Sequence, residues 1–212
     1  MPAEELEGSR RAALLAVLEE SQTLGFLGPG PVEEHLDHAE AMAEFIGTPA
    51  GPVLDLGAGG GVPGLVLAAC WPKAAVVLLD TVHRRCEFLT RAATRLGLSE
   101  RVAVVEGRAE AIAHDPIWRE RHDLVVARSF GSPAVTAECG VGFLRPGGRL
   151  VVSEPPDGGA GRWPAPGLAR LGLQRVRAGR AGGVAFVELS RSGSLDSRTP
   201  RRTGLPGKRP LW

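Results

Sequence analysis

Val53-Leu54-Asp55-Leu56-Gly57-Ala58-Gly59-Gly60-Gly61-Val62-Pro63-Gly64 reads as a buried strand that breaks into glycines and opens a helix. Val53 to Leu56 shows no clean polar alternation, as a strand covered on both faces should not. The glycines permit a tight turn and let the backbone approach a ligand that a Cβ would exclude. The helix that follows offers N–H groups and a positive dipole end to an anion.

Outward from this unit the same rhythm continues. Ala75 to Leu79, Val102 to Val105, Leu124 to Ala127 and Leu150 to Val152 are further Val/Leu-rich runs, and helical patterns lie between them near 62–71, 82–97, 109–114 and 133–143. Alternation of this kind predicts an α/β fold with a doubly wound, mostly parallel sheet. Upstream, Leu6, Ala13, Leu14, Val17 and Leu18, then Val32, Leu36, Ala39, Met42 and Phe45, recur at helical spacing and predict two amphipathic N-terminal helices over 4–22 and 31–46. Downstream, Gln174 to Arg177 and Val184 to Leu189 around Gly182-Gly183 predict a closing antiparallel hairpin. The chain divides accordingly into an N-terminal helical extension (1–50), a core domain (51–190) and a basic C-terminal tail (191–212). That tail carries Arg191, Arg198, Arg201, Arg202, Lys208 and Arg209 against Asp196 alone, and its Ser/Pro/Gly-rich setting predicts a solvated segment.

With 43% hydrophobic and 23% charged residues over 212 positions, the composition is that of one ordinary globular domain with an added element. A net charge of +1 excludes a global field for holding a polyanion, so nucleic-acid affinity must come from local clusters. Cys70, Cys86 and Cys139 are odd in number and unpaired in spacing, which argues against disulfides and zinc and for buried thiols. The acidic start at Glu4, Glu5 and Glu7, without an apolar run long enough for a membrane span, predicts a cytoplasmic protein with no membrane partner.

Gly59-x-Gly61-x-x-Gly64 formally matches a dinucleotide fingerprint, but a lone match is weak. Asp55, two residues before the first glycine, suits the amino end of an amino-acid-like cationic cofactor, and the helix would meet its carboxylate. Asp80 closes the second strand, where paired ribose hydroxyls can donate to it; its alternative role is to cap the next helix. Gly107-Arg108-Ala109-Glu110 follows the third strand at the same edge and offers an amide and a carboxylate to an adenine, unless Glu110 merely decorates a first helical turn. Arg128 leaves the fourth strand toward this crevice, as a ligand contact or a structural salt bridge. Leu144-Arg145-Pro146-Gly147-Gly148-Arg149-Leu150 resembles the turn into the fifth strand of class I methyltransferases. Together these features favour S-adenosyl-L-methionine, with Asp55, Gly57, Gly59, Gly61, Val62, Asp80, Ala109, Glu110 and Arg128 as candidate cofactor-binding residues and no metal. His35 and His38 share a helical face without a third ligand, which reads as an ordinary helix face. Trp71, Trp118, Trp163 and Trp212 are scattered and read as packing residues, Trp212 alone being a candidate for stacking on a base.

The glycine loop, Leu78-Leu79-Asp80, the helix with Arg84, Arg85, Phe88 and Leu89, Gly107 to Glu110, Ala127-Arg128-Ser129-Phe130 and the terminal 200–211 together resemble the bacterial small-subunit ribosomal RNA guanine-N7 methyltransferases, called RsmG or GidB. The resemblance runs from about residue 35 to the end. It implies cofactor contacts at Gly57, Val62, Ala109 and Glu110, with Arg128 beside them, and ribosomal RNA or the small subunit as partner. Two family elements differ: there is no Asn-Leu-Thr stretch ahead of Glu34 to His38, and Ser153-Glu154-Pro155-Pro156 stands where the family has Lys-Gly, removing a phosphate-binding charge. Methylation of guanine N7 needs no general base, so no catalytic triad is expected; Arg128 and the tail are the candidates for positioning RNA. On that reading, deletion of 198–212 weakens RNA binding and spares the cofactor. A methyltransferase of small molecules, with the N-terminal helices as lid, and a non-catalytic cofactor-binding protein stay open as alternatives.

Overall fold

Strands β1 (Val53–Leu56), β2 (Val76–Asp80), β3 (Val102–Glu106), β4 (His122–Ala127) and β5 (Leu144–Glu154) lie parallel, and β6 (Leu173–Ala181) and β7 (Val184–Arg191) close the sheet antiparallel in the order β3-β2-β1-β4-β5-β7-β6. This computed structural model describes residues 3–159 and 161–212, with side chains from residue 8 onward; the Leu6 side chain and Ala160 lie outside the described residues.

The strand order reverses between β1 and β4, which is where open α/β sheets leave a crevice. Every residue of β1 and β2 is buried, because helices cover both faces of the sheet. Val53, Val76 and Leu78 face one apolar cluster with Leu65, Phe88 and Leu89, whereas Leu54, Leu56 and Leu79 face another with Ala137, Phe143 and Leu150. The helices responsible are α3 (Gly64–Cys70) and α4 (His83–Arg95) on one side, and α5 (Ala109–Ile112) and α6 (Pro133–Val141) on the other; a short α7 (Ala165–Ala169) precedes β6.

The N-terminal helices α1 (Ala3–Thr23) and α2 (Val32–Ile46) form as the spacing predicts. Leu14 and Leu18 of α1 meet Val32, Leu36 and Ala39 of α2, and both sets pack on Val62, Val66 and Ala69. The helical extension is therefore seated on the glycine turn itself. Ser21 donates to the Gly60 carbonyl at 2.9 Å, and a Cβ on Gly60 would stand 2.4 Å from that hydroxyl.

The hairpin is longer than the sequence suggests. Gly182 and Gly183 both have positive φ, 50° and 78°, the backbone a two-residue type I′ turn requires. Strand β5 starts at Leu144 rather than Leu150, since the Pro-Gly-Gly stretch is absorbed into it with a register irregularity against His122 and Leu124.

The terminal segment corrects the expectation of a solvated tail. Arg191 ends β7, is buried, and pairs with Glu120 at 2.8 Å. Arg201 donates to the buried Glu138 from its backbone N–H at 2.9 Å and from Nε and Nη2 at 2.8 and 2.7 Å. Thr199 accepts from Arg119 at 2.7 Å, and Trp212 packs on Gly167 while donating to the Arg162 carbonyl at 3.1 Å. A buried carboxylate needs a partner, and Arg201 is that partner for Glu138, whereas in the other pair it is the buried Arg191 that Glu120 satisfies. Arg198, Arg202, Lys208 and Arg209 remain exposed.

Candidate functional site

Two cavities open side by side at the carboxyl ends of the strands. The first, about 270 Å³, is lined by Gly57 after β1, Asp80 at the end of β2, Gly107 to Glu110 after β3, and Ser129 and Phe130 after β4. The second, about 390 Å³, lies beyond β4 and β5 and is lined by Arg128, Ser129, Phe130, Ser153, Glu154 and His38 among others. Ser129 and Phe130 form the shared wall.

Of the nine sequence-predicted residues, Gly57, Asp80, Ala109 and Glu110 line the first cavity and Arg128 the second. Asp55, Gly59, Gly61 and Val62 stand behind them and line neither. Gly57 has φ 78°, and a Cβ there would strike Phe130 at 2.6 Å, so this glycine is required both by backbone and by space. Gly59 donates its N–H to Asp80 Oδ2 at 2.8 Å, which ties the turn to β2. Gly61 hydrogen-bonds within the turn to the Ala58 carbonyl, and Val62 packs under α1 and α2.

Asp55 is completely buried on β1. Its Oδ2 accepts from the Gly64 N–H at 2.8 Å, and its Oδ1 has no partner among the described residues. Burial pushes its carboxyl up to about 7, against the pull of the Gly64 N–H and Arg128. This bond also narrows the sequence reading of the helix start: the first two amides of α3, those of Gly64 and Leu65, are spent on Asp55 and on the Gly61 carbonyl, so these two are not free for a ligand anion. Among the described residues the buried Nη1 of Arg128 has no partner, and burial lowers the Arg128 pKa while Asp55 raises it.

Asp80 is buried at the cavity wall, with Oδ2 on Gly59 and Oδ1 accepting from Val82 at 2.9 Å. Each oxygen keeps lone pairs for hydroxyl donors. Val82, not Asp80, occupies the cap position of α4. Glu110 is buried as well; burial alone would raise its pKa, but the Gly204 N–H, its own N–H and Arg108 together hold it below the usual carboxylate range.

The two histidines have separate tasks. His35 contacts Arg128 through Nδ1 and the Gly28 carbonyl through Nε2, whereas His38 sits 2.8 Å from Ser153 Oγ at the second cavity. Burial, then Arg128 and His35, lower the His38 pKa to about 4, so it is neutral at ordinary pH.

Sequence reasoning gave no role to Ser129, Phe130, Arg85 or Gly207, all of which line the first cavity. Ser129 has φ 55°, a left-handed backbone uncommon for serine, where the two cavities meet. For Ser129 and Phe130 the signal was their place just after Arg128 at the end of β4, and Arg85 and Gly207 were visible only as members of the stretches that carry the family resemblance.

Unpartnered Asp55 Oδ1 and Arg128 Nη1 fit the ammonium and carboxylate of an amino acid, and Asp80 fits a diol. The residues present thus match the amino-acid and ribose parts of S-adenosylmethionine.

Comparisons with known proteins agree. The chain is 34% identical to a ribosomal RNA small subunit methyltransferase G of Rubrobacter xylanophilus, over 97% of this chain and 80% of that protein. It is 35% identical to the one of Deinococcus deserti, over 76% and 68%. Among solved structures, an O-methyltransferase from Bacillus cereus in complex with SAH superposes with a TM-score of 0.61 at 15% identity, covering 85% of this chain and 91% of that one. Cofactor-bound Rv0187 from MTB gives 0.60 at 20% identity, covering 86% and 91%. These two establish the fold as that of class I methyltransferases. The family model described as rRNA small subunit methyltransferase G, GidB, matches residues 32–154, and the chain belongs to that family.

Proposed function

We propose that this chain transfers the methyl group of S-adenosylmethionine to N7 of a guanine in 16S ribosomal RNA of the small subunit. The observation that carries the reading is the pair of adjoining cavities with one common wall, Ser129 and Phe130. The first is furnished for a nucleoside by Asp80, Ala109 and Glu110, and its neighbour, which Arg128 lines, is roomy enough for an unstacked base. Family membership supports the RNA substrate.

The cofactor supplies an electrophilic methyl group, and guanine N7 carries a lone pair that needs no deprotonation. The protein's part is placement. Asp55 and Arg128 would hold the amino-acid end, Asp80 the ribose, Ala109 and Glu110 the adenine, with Gly57, Gly59, Gly61 and Val62 shaping the turn. Phe130 offers a ring at the junction, on which a base can stack. His38, being neutral, adds no charge against a product base that becomes cationic.

The functional division we propose is a helical extension over 1–50 that covers the methionine end, a transferase core over 51–190, and a terminal segment over 191–212. Among the described residues no helix is long and apolar enough to cross a membrane; a ribosomal substrate would support a reaction in the cytoplasm.

Incubation with methyl-labelled S-adenosylmethionine and unmodified small subunits should put label on RNA, mapped to guanine N7 by base-specific chain cleavage. Label on a metabolite pool instead would make it a small-molecule enzyme. Cofactor binding without any transfer would make it non-catalytic.

A further inference from the structure

The segment after Thr199 touches the first cavity in a way its basic composition does not suggest. Gly204 donates its N–H to Glu110 Oε1 at 2.9 Å, the same oxygen that Arg108 reaches at 3.1 Å. Gly204 has φ 79°, so the chain turns there in a conformation that favours glycine. One turn later, Gly207 stands at the rim of the cavity whose other walls include Asp80, Ala109 and Glu110. The segment is fixed from beneath, by Arg201 on the buried Glu138 at 2.7 Å and by the Pro200 carbonyl on His114 at 2.7 Å. Its outer side carries Arg202, Lys208 and Arg209, all exposed.

We propose that residues 200–208 form the outer wall of the nucleoside end of the cofactor site, fixing the Glu110 carboxylate through Gly204 and closing over the bound base at Gly207. This rests on the cofactor reading given above. The mechanism is a shared order: a nucleoside in the cavity adds contacts to Glu110 and to the rim, and so stabilises the segment that holds them. Because the opposite side of the same segment is basic, a polyanion gripping it would steady the wall from without. Cofactor and RNA then favour one another reciprocally.

The experiment uses the full chain and S-adenosylhomocysteine as probe. Hydrogen exchange of the peptide covering 200–208 should slow severalfold when the probe is bound, while β6 at 173–181 stays unchanged. In parallel, Gly207→Trp adds bulk at a position where a Cβ meets nothing within 4 Å, so the fold tolerates it. Calorimetry should then show affinity for the probe reduced by about tenfold or more, with an unchanged Tm. Unaltered exchange over 200–208 in the probe-bound wild type overturns the proposal, whatever Gly207→Trp does. Failure of the wild type to bind the probe at all would sink the cofactor reading itself, which keeps the two distinguishable.

Discussion

Arg128 donates from Nη2 to His35 Nδ1, across 93 positions of sequence, while His35 Nε2 meets the Gly28 carbonyl at 3.2 Å. A carbonyl only accepts, so Nε2 carries the ring proton and Nδ1 is left as the acceptor Arg128 requires. The N-terminal helices thus aim the guanidinium whose other terminal nitrogen, Nη1, has no partner among the described residues. His35 is a positioning residue for Arg128.

His35→Ala should lower affinity for S-adenosylhomocysteine by about tenfold or more, the scale of one lost hydrogen bond to a charged group. His35→Gln supplies an oxygen acceptor and should recover most of the loss. Calorimetry on the three proteins checks this; equal affinities would show that Arg128 is placed without the histidine.

Asp55 gives a pH dependence with a definite sign. Its folded carboxyl is pushed up to about 7 from an ordinary 3.8, so the folded state binds this proton more tightly than the unfolded chain. The stabilising contribution is complete below the unfolded value, declines as pH rises between the two, and is gone above the folded one. Asp55→Asn keeps an acceptor for the Gly64 N–H and removes the titration. Its Tm relative to wild type should therefore rise from about pH 4 to about pH 7 and then level off. Parallel Tm curves for the two proteins over that range would mean that Asp55 does not titrate as its burial demands.

Much of this arrangement was legible in the residues, and the part that was not shares one cause. Val53 to Leu56 and Val76 to Asp80 announce themselves because a strand buried on both faces has little choice but Val and Leu. Asp80, Ala109 and Glu110 sit where a strand end hands over to a turn, so chain position alone puts them at the crevice. His35 on Arg128 and Gly204 on Glu110 join residues 93 and 94 positions apart, a distance over which periodicity carries no information. Nor can composition distinguish Arg201, committed to a buried carboxylate, from the exposed Arg202 next to it. The glycine turn misled in one respect, because Asp55 itself satisfies the amide that a ligand would have used.

Glu138 is the strongest test of the docked terminus. Its side chain is 1% exposed, and Arg201 reaches it with three donors. Arg201→Ala removes the charge and both guanidinium donors, leaving the buried carboxylate only the backbone N–H, and should cost on the order of 3 kcal/mol, visible as a lower urea midpoint. Pairing it with Glu138→Gln should recover part of that cost, since a neutral amide is cheaper to leave buried. A terminus that merely lies in solvent would give no change in either protein.

Arg162 bears on the missing lysine of the family. Glu154 occupies that stretch here, only 2% exposed, and holds Arg162 at 3.1 Å and the Trp163 indole N–H at 2.9 Å. The carboxylate therefore draws a guanidinium to the mouth of the second cavity, which both residues line. A cation is restored at that mouth by a residue farther along the chain, and it remains one-third exposed for a phosphate. Arg162→Ala should weaken binding to small subunits and flatten its dependence on log salt by about one unit of slope, the mark of one lost phosphate contact. Arg162→Lys should restore the slope, and affinity for S-adenosylhomocysteine should stay the same in both, because Arg162 does not line the first cavity. Titrating labelled subunits over a range of salt measures this directly. An unchanged slope in Arg162→Ala would leave Arg162 as a partner of Glu154 alone, and the phosphate contact at this mouth would have to come from elsewhere.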